Sequence, residues 1–107
     1  LAGSYNNKAF ALDSLGRPKE AADILDKAIG IYERLVYKEG RWELVERLAK
    51  TKFNKAQILF ALGEKNQATE AMEVIELLEE GIRRGGGESL RKSLLQVRGL
   101  IKEIFYE

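Results

Sequence analysis

Apolar residues recur every three or four positions along most of the chain, and glycines interrupt that rhythm at Gly16, Gly40, Gly63 and residues 85–87. This spacing is the period of an amphipathic α-helix, and strand-type alternation is nowhere sustained. Pro18, the only proline, stands two residues after a glycine, where the first turn of a new helix tolerates a missing N–H. The pattern predicts five helices, over roughly 2–15, 18–39, 41–62, 64–84 and 88–106.

Each predicted helix has a buried stripe. In the first it is Tyr5, Ala9, Leu12 and Leu15, ended by a left-handed cap at Gly16. In the second it is Ala21, Leu25, Ala28, Tyr32 and Leu35, widened by Ile24, Ile31 and Val36. Trp42, Val45, Leu48, Ala49, Ala56 and Leu59 form the third. The fourth sets Ala68, Ala71, Met72, Ile75, Leu78 and Ile82 against an opposite row of Glu70, Glu73, Glu76 and Glu80. In the fifth, Leu90, Leu94, Val97, Ile101 and Ile104 form the stripe, with Leu95, Leu100 and Phe105 beside it and Glu88 and Ser89 as a weak cap. Short links between long helices imply antiparallel neighbours in an all-α fold.

Composition narrows the chemistry. Hydrophobic residues make up 45% of the 107, enough for one core, and the net charge is +1. That balance gives no global attraction to nucleic acid or to an anionic membrane. Cysteine and histidine are both absent. Disulfides, thiolate chemistry, the commonest general base and the commonest zinc ligand are therefore excluded. No apolar run approaches the roughly 20 residues of a membrane helix. The chain opens at Leu1 in helical pattern and ends at Glu107 in the same pattern, so it reads as a segment cut from a longer repeat array. A reducing, cytoplasmic location is the expectation.

The chain also repeats itself. Residues 7–21 set over residues 54–68 give seven identities in fifteen pairs: Asn7/Asn54, Lys8/Lys55, Ala9/Ala56, Leu12/Leu59, Leu15/Leu62, Gly16/Gly63 and Ala21/Ala68. Chance would supply on the order of one. The repeated unit is a helix, a tight glycine turn and the start of a second helix, which cannot close a core alone and so stacks on its copy.

This unit resembles the tetratricopeptide repeat, whose pattern is W-x2-L-G-x2-Y, then A-x3-F, then P. Tyr5, Ala9, Leu12, Ala21 and Leu25 take those places in the first copy, and Ala56, Leu59, Ala68 and Met72 in the second. The leucine before the small residue is replaced by Lys8 and Lys55, and the closing proline by Glu33 and Glu80. Without that proline the second helix runs on, giving a repeat of about 47 residues. The expected domain organisation is one helical domain over 1–107. Repeat one covers about 2–39 and repeat two about 41–84, with a partial third repeat or capping helix at 88–107. The expected architecture is an α-solenoid of two antiparallel hairpins plus a fifth, terminal helix.

The resemblance implies a concave groove, lined by the first helix of each hairpin, that binds peptides. Carried over by position, the candidates are Asn6, Asn7, Phe10 and Asp13 in the first copy and Lys50, Phe53, Asn54, Gln57 and Phe60 in the second. An amide at Asn7 and Asn54 can both donate to and accept from an extended backbone; the alternative is a bond to a neighbouring loop or to water. Phe10, Phe53 and Phe60 could floor the groove, although aromatics at helical spacing commonly are core. Lys8 and Lys55 either lay their stems over apolar surface or clamp an acidic peptide. The row of glutamates reads as a solvated face, since no histidine accompanies it for a metal site. Six basic residues against three acids over residues 82–107 fall short of a nucleic-acid patch, and residues 85–87 lack the context of a phosphate loop.

The expected function is non-catalytic protein–protein interaction, with a peptide or partner protein as ligand, no cofactor or metal, and neither nucleic acid nor membrane as partner. Two alternatives stand beside it. One is self-association through the terminal helices, and the other is a regulatory segment of a larger signalling enzyme or ATPase.

Overall fold

The computed structural model describes residues 2–63 and 67–105, with side chains described for 3–63 and 70–103. Among these the helices are α1 (Ala2–Ser14), α2 (Pro18–Glu33), α3 (Val45–Ala61), α4 (Gln67–Arg83) and α5 (Glu88–Phe105). No strand occurs among the described residues. The side chains of Ala68, Ile104 and Phe105, and the predicted start of the fourth helix at 64–66, lie outside what is described.

Glycine makes the turns for a stereochemical reason. Gly16 has φ +78°, its N–H donates to the Asp13 carbonyl at 3.0 Å, and the Arg17 N–H donates to the Leu12 carbonyl at 2.9 Å. This paired closure satisfies carbonyls that the end of α1 would leave open, and it needs the left-handed backbone that glycine adopts without strain. The end of α4 is closed the same way, with Gly85 at φ +97° and the Gly86 N–H on the Gly81 carbonyl at 2.9 Å.

Between the hairpins the chain stays helical longer than an ordinary repeat. After Glu33 the helix continues as a π-helical turn, Arg34–Lys38, which buries Val36 completely. The Arg41 N–H then reaches back to the Leu35 carbonyl at 3.0 Å, and Gly40 reverses the chain with φ +69°. A short 3-10 turn, Trp42–Leu44, leads into α3. Trp42 is held there by the Tyr37 ring, edge-on at 5.7 Å, and by the Arg84 guanidinium, 3.9 Å above its ring. A cation over an indole face is an attractive contact, and it ties this connection to the end of α4.

Consecutive helices pack on one another, and α3 also touches α5. The main core joins Ala28, Ile29, Tyr32 and Val36 of the second helix to Val45, Leu48, Ala49 and Phe53 of α3. From α4 and α5 come Ala71, Val74, Leu78, Leu90, Leu94 and Val97. Ala9, Ala21 and Leu25 form a smaller core between α1 and α2. Gly81 is needed where α4 passes α3 and α5, because a Cβ there would stand 2.8 Å from Val45 Cγ1. The result is an all-α solenoid of two antiparallel hairpins, α1–α2 and α3–α4, with α5 as a fifth helix.

Several expected placements are corrected. Leu15 is exposed, because it sits in the cap turn beyond the last turn of α1. Met72 is exposed too, and the inner face of α4 is Ala71, Val74, Leu77 and Leu78. At 100° per residue this face is turned by roughly a quarter-turn from the predicted one. Burial of Val74 and Leu77 favours this rotation, and it leaves Glu70 and Glu73 beside Lys55 and Lys52 of α3. Ser89 does not cap α5. Its hydroxyl donates to the Glu46 carboxylate of α3 at 2.8 Å, beside the Ser93 hydroxyl, which also donates to Glu46 at 2.8 Å.

Candidate functional site

Two recesses open along α3, one on each side. The first, of about 340 Å³, lies between α1 and α3, with Leu25 of α2 at its base. Asn6, Phe10 and Asp13 enter it from α1, and Asn54, Gln57, Ile58 and Ala61 from α3. The second, of about 310 Å³, lies between α3 and α5 with Leu78 of α4 at its base. Lys50, Phe53, Asn54 and Gln57 meet Ser93, Gln96 and Val97 there. Asn54 and Gln57 line both, since residues three apart stand one turn above another on a helix.

Seven of the nine residues carried over as groove contacts, Asn6, Phe10, Asp13, Lys50, Phe53, Asn54 and Gln57, thus line one or both of these recesses. Asn7 and Phe60 line neither, and Asn7 is exposed on α1. The three phenylalanines do not form one floor. Phe10 is 77% exposed at the first recess, Phe53 is 6% exposed as part of the main core, and Phe60 is 41% exposed. Phe53 is held because its position on α3 faces the seam with α4 and α5, so it contributes a wall of the second recess rather than a free ring.

The lysine pair also separates. Lys8 is exposed, whereas Lys55 lies on the other side of α3, where its ammonium donates to Asp26 at 2.6 Å and stands 3.5 Å from Glu70. Burial is the largest single influence on Lys55 and opposes its charge, but the bond to Asp26 and the fields of Glu70 and Asp26 outweigh it and raise its pKa. Lys52 similarly lies between Glu33, at 3.5 Å, and Glu73, at 4.0 Å. A recess of about 240 Å³ between α2 and α4 is lined by these six charged groups and Ile29. The glutamate row is therefore partly structural. Glu70 and Glu73 pair with α3, and Glu80 pairs with Arg83 at 2.6 Å and Arg84 at 3.0 Å. A Lys8/Lys55 clamp does not exist, since Lys55 is already neutralised.

One buried polar contact escaped sequence reasoning. The Asn6 amide nitrogen donates to the Thr51 hydroxyl at 3.2 Å, and that hydroxyl donates to the Arg47 carbonyl at 2.8 Å. Thr51 is buried, a polar residue in the inner stripe of α3. Its place within that stripe was the available signal. The partner on α1 carries no signal of its own, because pairing between α1 and α3 depends on how the hairpins stack.

No helix among the described residues is long and apolar enough to cross a membrane. Residues 1–36 match the family model of the tetratricopeptide repeat. No curated protein and no solved structure matches the chain. Repeats of this family generally mediate protein–protein interactions and are typically non-catalytic modules. The matched segment ends inside the π-helical turn, after one complete hairpin, and α3 and α4 repeat that hairpin beside it. The similarity to the tetratricopeptide repeat thus covers residues 1–36, the first hairpin.

Proposed function

We propose that the chain binds an extended peptide, or an extended segment of a partner protein, in the groove made by the inner sides of α1, α3 and α5. The observation that carries this reading is the placement of Asn54 and Gln57. Their amides border both recesses and make no side-chain hydrogen bond to the described residues. Each amide offers both a donor and an acceptor, so a strand crossing α3 can pair its backbone while neighbouring side chains enter the recesses. Rigid stacked helices hold the amides in place, which limits the ordering cost of binding. On this reading repeat one spans about 2–39 and repeat two about 41–84, with α5 opening a third. The chain acts as a scaffold without catalysis.

The test is fluorescence anisotropy against a mixed library of labelled hexapeptides, with Asn54→Ala and Gln57→Ala combined. Binding that falls about tenfold in the double variant, with thermal stability retained, supports the groove; undiminished binding contradicts it. Leu95, 69% exposed on α5, favours self-association as a second reading. Sedimentation over a range of concentrations decides it. A dimer abolished by Leu95→Lys supports association, and a monomer at all concentrations removes it.

A further inference from the structure

The two recesses beside α3 differ in charge. Asp13 puts a carboxylate on the wall of the one between α1 and α3. The one between α3 and α5 has a single charged lining group, Lys50, and its ammonium stands 3.2 Å from the Glu46 carboxylate. The Ser93 hydroxyl there is committed as well, since it donates to Glu46 at 2.8 Å. The floor is Ala49 and Phe53 of α3, Leu78 of α4 and Val97 of α5, all buried and all apolar. The rim carries three primary amides, Asn54 and Gln57 on α3 and Gln96 on α5, and none makes a side-chain hydrogen bond to the described residues. A neutral, apolar floor under free amides, in a recess of about 310 Å³, is the complement of one apolar side chain carried on a polar backbone. A charged side chain entering it loses hydration and finds no counter-charge.

We propose that the recess between α3 and α5 is the anchor site of the groove, holding one bulky apolar side chain of the bound segment, with Gln96 pairing to the segment's backbone beyond it. The inference rests on the groove reading above and keeps its path. A strand that crosses α3 pairs with Asn54 and Gln57 and then passes over the recess toward α5. Helices in contact, as α3 and α5 are, lie about 8–10 Å apart axis to axis, and an extended segment covers that distance in about three residues. Side chains of such a segment alternate between its two faces, so one residue on the way points into the recess and its neighbours point out. Gln96 then stands where the next backbone N–H or C=O arrives, and its amide answers either.

The experiment uses the same labelled hexapeptides with each position fixed in turn as leucine, alanine, lysine or glutamate. At the anchor position the leucine set should bind about tenfold tighter than the alanine set, and tighter still than the lysine and glutamate sets. Gln96→Glu should raise the affinity of the lysine set several-fold at that same position, and Gln96→Lys that of the glutamate set. Asp13→Asn, at the other recess, should leave the leucine preference unchanged. Gln96 is exposed, so its variants should keep the midpoint of thermal unfolding within about 2 °C of the parent. Leucine and alanine sets that bind alike at every position overturn this inference and leave the groove intact. Absence of any peptide binding overturns both. If neither Gln96 variant changes the ranking at the position where leucine is preferred, or if Asp13→Asn removes the preference, the anchor lies outside this recess and the inference is also overturned.

Discussion

Phe53 and Phe60 stand two turns apart on α3, yet one is 6% exposed and the other 41%. The difference arises from what lies opposite each ring, not from the residue or its spacing. Phe53→Ala empties part of the main core and should cost about 3–5 kcal/mol of stability, seen as a large drop in the denaturation midpoint. Phe10→Ala should leave that midpoint within about 0.5 kcal/mol of the parent, since its ring faces solvent. Glu46 is a second case. The Ser89 hydroxyl first, then Ser93 and Lys50, stabilise its carboxylate against the opposing effect of burial, and its pKa is lowered from the ordinary 4.5. A lowered folded pKa means that its contribution is complete above about pH 4.5 and is lost as pH falls through the folded value. Glu46→Gln should therefore cost about 1 kcal/mol at neutral pH, and the gap between variant and parent should close on acidification below that range. Thermal unfolding across pH 3–7 reads both. A gap that does not change with pH would remove the carboxylate from the account.

At the scale of elements, the left-handed turn at Gly63, φ +75°, makes the sharpest prediction. Gly63→Val should destabilise the α3–α4 hairpin by about 1–3 kcal/mol, measured by urea denaturation, because a β-branched residue is strained in that conformation. Leu78→Asp should unfold the chain, since it places an unpaired charge where the side chain is almost wholly buried. Much of this level was legible in the chain: the glycine punctuation, the second helix running on toward Gly40, and the stripes of α2 and α3; the π-helical form of that extension was not. Nor was the face of α4. Its period allowed Met72 or Val74 to point inward, and the choice depended on which face meets α3 and α5, where Val74 and Leu77 are buried. The candidate site divides in the same way. Asn54, Gln57, Phe10 and Asp13, picked out by helical register and family likeness, line one recess. Asn6–Thr51, Glu46–Ser89 and the capture of Lys55 needed the packing of one helix on another.

For the whole molecule, the decisive feature is that stacking two hairpins leaves the inner sides of α1, α3 and α5 bordering open recesses, while the charges of α2, α3 and α4 close much of the opposite side by pairing. On the proposed reading, affinity comes from a scaffold that is ordered before its ligand arrives. The most direct measurement is amide chemical-shift mapping of the isotope-labelled chain titrated with hexapeptides from the library. The account predicts shifts concentrated at Asn6, Phe10, Asp13, Asn54, Gln57 and Gln96, absent when Asn54 and Gln57 are alanine. Shifts gathered instead on the α2 and α4 side, or none at saturating peptide, would contradict it.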